Sequence, residues 1–170
     1  IRNSSLLVLD DFGTQNATGW AQEKLFQIIN YRYINKLPLV LTTNLALDEI
    51  DPRLRSRIQD PELVSFIKIL APDYRRPSDE MGHLELSSLV HLKNRNFINF
   101  EPRKNEGLPR EAVDDLRDAF EAARAFADNP EGWIVFVGPP GVGKTHLAAA
   151  IGNFRADLGI PPLFIVTPDL

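Results

Sequence analysis

The sequence contains no cysteine, a single methionine (Met81) and no excess of basic residues. The lack of cysteine excludes disulfide bonds and thiolate metal sites, and it is typical of the reducing cytoplasm, where we expect the chain to function. The formal net charge of −4 excludes chain-wide attraction to nucleic acid, so a DNA contact would need a local basic patch. No apolar run approaches the roughly 20 residues of a membrane span, and no signal peptide is visible. We therefore expect no membrane partner.

The 170 residues suit one domain that is large enough to bury a core. The chain begins at Ile1 without a methionine and stops at Leu170, directly after a predicted strand. Both ends fall inside the predicted domain. We therefore expect either a fragment of a longer protein or a rearranged module.

A glycine-rich stretch stands between a predicted buried strand, 133–137, and a run of strong helix formers, 146–151. It has the spacing G-x-x-x-x-G-K-[ST] of a phosphate-binding P-loop. Glycine tolerates positive φ and lets backbone N–H groups turn toward an anion, while the helix N-terminus adds its positive dipole end. The alternative is an ordinary loop between a strand and a helix. The predicted nucleotide-binding residues are Gly138, Pro139, Pro140, Gly141, Val142, Gly143, Lys144, Thr145 and His146.

Within this motif, Lys144 is predicted to reach the β- and γ-phosphates of ATP, and the Thr145 hydroxyl to ligate Mg²⁺. A second metal-binding group is predicted at the end of the apolar strand 5–11, which closes on Asp10 and Asp11. In a P-loop protein, Asp10 would hold Mg²⁺ through water and Asp11 would orient or deprotonate the attacking water. Taken alone, two aspartates after a strand fit a turn or a helix cap equally well.

Two further polar features follow the strand 38–44. Asn44 ends this strand and could contact the γ-phosphate or the lytic water. Arg53 and Arg57 lie four residues apart in a helix that opens at Pro52, so they share one helix face. By spacing alone, a surface salt-bridge face is the simpler interpretation of the two arginines.

The remaining pattern predicts strands at 64–70 and 162–167 and helices at 20–35 and 109–128, with loop and linker from 71 to 107 that carries a short element within 84–92. Alternation of strands and helices favours an α/β fold. We predict a parallel five-stranded sheet between two helix layers, with the P-loop strand central.

Four stretches carry a resemblance to a known family: 140–151, 6–13, 42–45 and 53–57. Together they resemble the AAA+ module of DnaC-type helicase loaders and IstB-type transposition helper proteins. The segment 96–100 is similar to the stretch that precedes the P-loop in this family, and the segment 71–75 is similar to the end of the module. The resemblance covers most of the chain and implies the three-layer P-loop NTPase fold, with ATP and Mg²⁺ as cofactors.

The resemblance also implies roles for individual residues. Asn44 would be the sensor residue, Arg57 the arginine finger acting on ATP of a neighbouring subunit, and Arg53 a second interface arginine. Lys144, Asp11, Asn44 and Arg57 would form the catalytic set, and Asp10 and Thr145 the metal site. The chain would form a homo-oligomer and hydrolyse ATP. As a helicase loader, which we expect first, it would act on a replicative helicase and single-stranded DNA; as a transposition helper it would use the same chemistry.

Three features depart from the family pattern. The acidic strand, sensor and finger precede the P-loop, so 1–76 would be the C-terminal half of a module, 77–108 a linker and 109–170 the N-terminal half. This order fits either tandem modules cut into a fragment or a circular permutation. In such loaders, helices that contact single-stranded DNA lie between a strand like 162–167 and a strand like 5–11; here that join is cut at Leu170 and Ile1, so we expect those helices to be missing. Asp11 also stands where many AAA+ proteins have glutamate, which leaves open an ATP-dependent interaction module with weak hydrolysis.

Overall fold

The computed structural model describes residues 4–13, 19–71, 89–103 and 106–167. Five strands form one sheet with the order β3-β4-β2-β1-β5. Every strand pair is parallel, which confirms the predicted α/β fold with a five-stranded parallel sheet. The strands are β1 (Leu7–Phe12), β2 (Leu39–Thr43), β3 (Val64–Lys68), β4 (Trp133–Val137) and β5 (Leu163–Val166).

The strand that precedes the glycine loop, β4, lies between β3 and β2, and the middle of the five strands is β2. The prediction that the P-loop strand is central is therefore wrong by one position. The edge beyond β4 is taken by β3, whose residues are partly buried or exposed, whereas all five residues of β4 are buried. Because β4 is hydrogen-bonded on both sides by strands of the first 70 residues, the two halves of the chain interleave in one sheet.

Within the described ranges, four α-helices cover the sheet: α1 (Gly19–Ile34), α2 (Pro52–Ile58), α3 (Arg110–Asp128) and α4 (Lys144–Asp157). Short 3₁₀ turns occur at Leu47–Glu49 and Leu89–Leu92. The start of α2 is capped by Asp51, whose carboxylate accepts the Arg53 N–H at 2.8 Å, with Pro52 in the first turn. None of the described helices has the length and apolar character needed to cross a lipid bilayer.

The apolar runs of the strands supply both faces of the sheet, because successive side chains point in opposite directions. In β1, Val8 packs with α3 and α4, whereas Leu7 and Leu9 pack with α1 and α2. β2 and β4 divide their residues in the same way. The core therefore has two layers, one on each side of the sheet, as expected for a parallel sheet buried on both faces.

Residues 89–103 lie within the predicted linker, and the structure packs them against α3 and α4. The Asn153 side chain of α4 donates hydrogen bonds to the carbonyl oxygens of Leu92 and Arg95, both at 2.9 Å. The Phe97 ring contacts the rings of Phe120 and Phe154 edge-on. Of the short element predicted within 84–92, the structure describes only the 3₁₀ turn; residues 84–88 lie outside the described ranges.

Candidate functional site

The predicted site residues come from different strands but share one edge of the sheet. β1, β2 and β4 run parallel, so the residues at their carboxyl ends meet on the same side. Asp10 and Asp11 lie at the end of β1, and Asn44 follows β2. The glycine loop follows β4 and leads into α4. The structure thus brings together the acidic pair, Asn44 and the loop.

The backbone of the loop requires glycine at several positions. Gly141 and Gly143 have φ values of +75° and +101°, which other residues adopt only with strain. At Gly138, a Cβ atom would lie 2.2 Å from the carbonyl oxygen of Ile69, so the residue that follows β3 leaves no room for a side chain there. Val142 is buried and anchors the loop in the core. A loop of this shape at the start of a 14-residue helix suits an anion.

Lys144 is the first residue of α4 and is only 4% exposed. Its Nζ donates hydrogen bonds to the carbonyl oxygens of Gly138 at 3.0 Å and Pro139 at 2.8 Å. The ammonium group is thus folded against the loop that it is predicted to serve. A buried cation so close to glycine N–H groups can neutralise a phosphate that binds there.

Asp10 is the most perturbed acid described. The pKa of its carboxyl is raised from 3.8 to about 6, chiefly by burial and also by the negative charge of Asp11. Hydrogen bonds from the Thr42 and Thr145 hydroxyls and the charge of Lys144 lower the pKa and offset part of this rise. The Asp10 side chain thus interacts with Thr145 and Lys144 of the loop. Carboxylate and hydroxyl oxygens are hard ligands, so the donors at this point fit Mg²⁺ held partly by substrate phosphates.

Thr42, near the end of β2, belongs to this group of residues and was missed in the sequence. Its side chain is fully buried, and its hydroxyl donates a hydrogen bond to Asp10 Oδ1 at 2.6 Å. The same hydroxyl accepts the backbone N–H of Asp11 at 2.9 Å. The signal in the sequence was a polar pair, Thr42-Thr43, at the end of an apolar strand next to Asn44.

Asn44 presents an unusual polar atom at the same edge. Its side-chain Oδ1 is buried and has no hydrogen-bond partner within the part of the chain that the structure describes. Buried acceptors are nearly always paired, so this oxygen is suited to a water or ligand donor. The position is compatible with the predicted sensor role, which stays a prediction.

The His146 ring points toward the 89–103 segment. Its Nε2 lies 2.9 Å from the carbonyl oxygen of Asn96, and its ring meets that of Phe100 edge-on. Burial lowers the pKa of His146, an effect that the nearby charge of Arg95 increases and the Asn96 hydrogen bond opposes. The side chain therefore fastens this segment to the start of α4. The Phe100 ring also packs against the glycine loop: a Cβ atom at Gly143 would lie 3.0 Å from this ring.

Arg53 and Arg57 share one face of α2, as predicted, and both guanidinium groups lie over the Phe26 ring of α1. Arg53 is exposed and pairs with Asp51 at 3.0 Å. Arg57 donates to Asn30 Oδ1 of α1 from Nε at 3.1 Å and from a terminal nitrogen at 2.7 Å. Within one chain Arg53 pairs with carboxylates, as the salt-bridge interpretation expects, whereas Arg57 donates to the uncharged amide oxygen of Asn30. Their predicted use on a neighbouring subunit stays a prediction.

The sequence of the chain matches the model of a known protein family. The model of the family described as IstB-like ATP binding protein matches residues 71–170. This match includes the loop, α3, α4 and the 89–103 segment. No solved structure matches the chain.

Each of the matching relatives aligns with only part of the chain. Protein YqaM of Bacillus subtilis (strain 168), named as uncharacterized, is 32% identical in an alignment of 93 residues that covers 50% of this chain and 29% of the relative. The "Insertion sequence IS5376 putative ATP-binding protein" of Geobacillus stearothermophilus is 34% identical over 87 residues, 51% of this chain and 32% of the relative. The similarly named protein of insertion sequence IS21 from Pseudomonas aeruginosa is 42% identical over 68 residues, 40% of this chain and 22% of the relative. The chain thus spans about a third or less of each relative's length.

Proposed function

The chain belongs to the family of IstB-like ATP-binding proteins, and we propose that it is the ATPase unit of a DNA-transposition helper protein. Two of the relatives are named as ATP-binding proteins of insertion sequences, which favours transposition over the helicase-loader prediction. The proposed reaction is transfer of the γ-phosphoryl group of ATP to water.

The observation that carries the proposal is the meeting of Lys144 and Asp10 at the glycine loop. A buried ammonium folded against the loop carbonyls and a buried carboxylate in reach of its charge are opposite charges removed from solvent. Burying these two charges costs free energy, because each loses its hydration. A role in ligand binding would explain why both are nevertheless buried here. Binding of a polyphosphate supplies that role for Lys144, and binding of a cation supplies it for Asp10.

Each residue has a role that follows from its position. The loop amides and Lys144 bind the phosphates, and Thr145 and Asp10 hold the metal. Mg²⁺, when bound, neutralises charge on the phosphate oxygens. Asp11 lies next to Asp10 with its backbone in the left-handed region, at φ 53°, and would take or orient the proton of the attacking water. Asn44 Oδ1 would accept a hydrogen bond from that water.

The proposal is tested first at the level of binding. A fluorescent ATP analogue is titrated into the chain, into Lys144→Ala, and into Lys24→Ala as a control that removes one exposed positive charge from α1. We expect Lys144→Ala to weaken binding at least tenfold and Lys24→Ala to bind like the parent. Parental binding by Lys144→Ala would refute the P-loop assignment.

Turnover is measured separately, because binding and hydrolysis are distinct claims. Phosphate release is followed with and without single-stranded and double-stranded DNA. We expect release above the Lys144→Ala background, stimulated by DNA. Nucleotide binding without any turnover, in an assembled oligomer with DNA, would instead favour the interaction module with weak hydrolysis.

A further inference from the structure

The strand that carries the acidic pair is irregular at the pair itself. β1 and β2 are in register from Leu7 to Leu9, and the register shifts before Phe12, which pairs with Thr43. Asp10 and Asp11 therefore lie opposite one residue, Thr42. This arrangement, in which two residues of one strand lie opposite a single residue of its neighbour, is a β-bulge. β-Bulges change the direction of side chains and are common beside active sites.

The Thr42 hydroxyl replaces the regular backbone pairing at the bulge. It accepts the Asp11 N–H at 2.9 Å and donates to Asp10 Oδ1 at 2.6 Å. A hydroxyl has one proton to donate. Because the Thr42 oxygen accepts the Asp11 N–H, its own proton remains available for the Asp10 carboxylate. One buried hydroxyl therefore fixes both the carboxylate of Asp10 and the left-handed backbone of Asp11, whose φ is 53°.

The next residue of β2 supplies a natural comparison. The Thr43 hydroxyl donates to the carbonyl oxygen of Phe12 at 2.7 Å and accepts the N–H of Leu45 at 3.1 Å. Thr43 is buried like Thr42 and makes the same number of side-chain hydrogen bonds. The difference is that the hydrogen bonds given for the Thr43 hydroxyl join it to backbone atoms, whereas the Thr42 hydroxyl bonds a carboxylate predicted to serve the metal.

We propose that Thr42 is the positioning residue of the acidic pair: its hydroxyl orients Asp10 toward the metal and aims Asp11 from the bulge. The inference rests on the proposed function, since it assigns a role within the same nucleotide site. It adds that metal binding depends on β2, through a residue that acts by way of its hydrogen bonds to Asp10 and Asp11. Groups that orient a metal-binding side chain in this way are typically worth about 10- to 100-fold in metal affinity.

The test compares Thr42→Val with Thr43→Val, because each removes one buried hydroxyl and keeps nearly the same volume. Mn²⁺, a spectroscopic substitute for Mg²⁺, is titrated at saturating ATP and followed by electron paramagnetic resonance. We expect Thr42→Val to raise the half-saturating Mn²⁺ concentration about tenfold or more. Thr43→Val is expected to follow the parental Mn²⁺ curve, and Thr42→Ser, which restores the hydroxyl, to return close to it.

Nucleotide affinity in EDTA is the second readout. It should be the same in the parent and in Thr42→Val, because Lys144 and the loop amides are untouched. If Thr42→Val does not fold, Thr42→Cys is used, since its S–H is a weak donor of similar size and should give an intermediate Mn²⁺ shift. The chain has no other cysteine to interfere.

The outcomes separate the two claims. Failure of the parent to bind nucleotide overturns the proposed function and this inference with it. Normal parental binding with an unmoved Mn²⁺ curve in Thr42→Val, or in Thr42→Cys where that variant is used, overturns the inference alone. An equal shift in Thr43→Val also overturns it, because the effect would then come from loss of any buried hydroxyl in β2.

Discussion

The buried carboxylate of Asp10 should destabilise the fold whenever it is ionised. The folded-state pKa is about 6 against 3.8 for an ordinary aspartate, a rise of about 2.2 units. At about 1.36 kcal/mol per unit, this amounts to about 3 kcal/mol in favour of the protonated form. Between pH 4 and pH 6 the folded state binds more protons than the unfolded state, so the free energy of unfolding falls as the pH rises. The loss is nearly complete about one pH unit above the folded-state pKa.

Asp10→Asn removes the titrating group and keeps an oxygen that can accept the Thr42 hydroxyl. We expect this variant to exceed the parent in unfolding free energy by up to about 3 kcal/mol at pH 8, and by progressively less toward pH 4. The measurement is urea unfolding from pH 4 to pH 8 without nucleotide or divalent metal. Asp48→Asn, which changes an exposed carboxyl group, is the control and should track the parent.

Two results would refute this reasoning. One is a stability gap between Asp10→Asn and the parent that is the same at every pH. The other is a variant that is less stable than the parent at pH 8, which would mean that the charges and hydrogen bonds around Asp10 outweigh its burial. Addition of ATP and Mg²⁺ should narrow the gap at pH 8, because the parent gains metal-binding energy that the variant lacks.

Further predictions concern the loop and the arginines. Gly138→Ala should destabilise the fold by several kcal/mol and weaken nucleotide binding, because the new Cβ would lie 2.2 Å from the Ile69 carbonyl oxygen. Thermal melts test this. The control is Gly19→Ala, where a Cβ would have no neighbouring atom within 4 Å. Equal melts for the two variants would contradict it. Arg57→Ala should bind ATP normally but lose roughly 10³ in turnover within an assembled oligomer, and mixing it with Lys144→Ala should restore part of the activity. Full turnover by Arg57→Ala in that oligomer would leave Arg57 with only its contacts inside the chain.

The sequence alone determined the features that depend on neighbouring residues. The spacing of the glycines with Lys144 and Thr145 indicates a phosphate loop, because the requirement for positive φ is local. The apolar runs before and around this loop indicate buried parallel strands. Helix α3 was bounded closely, at 109–128 against Arg110–Asp128, because Pro109 and the apolar stripe mark its start and its inner face.

The tertiary structure decided what depends on residues distant in sequence. Position in the sheet is one such feature: β4 lies beside β3 and β2 and not in the middle, since strand order depends on packing. Burial of a charge is another. Arg32 lies on the inner face of α1, fully buried, where its guanidinium donates to the Pro38 carbonyl oxygen at 2.7 Å and to the Ser4 carbonyl oxygen at 3.1 Å. From the sequence alone, an arginine is predicted to lie on the solvent-exposed face of a helix, because the carbonyl oxygens that accept its hydrogen bonds are not known.

The candidate site divides in the same way. Asp10 and Asp11 could be predicted from the sequence because they end an apolar strand, but Thr42 could not. The bulge that sets Thr42 against both aspartates exists only when β1 and β2 pair, and their contact joins residues 32 positions apart. His146 is similar: it follows the phosphate motif directly, yet its ring contacts Asn96, 50 positions earlier. Local chemistry is readable in a sequence, whereas the partner that orients a side chain appears only when distant strands and helices pack together.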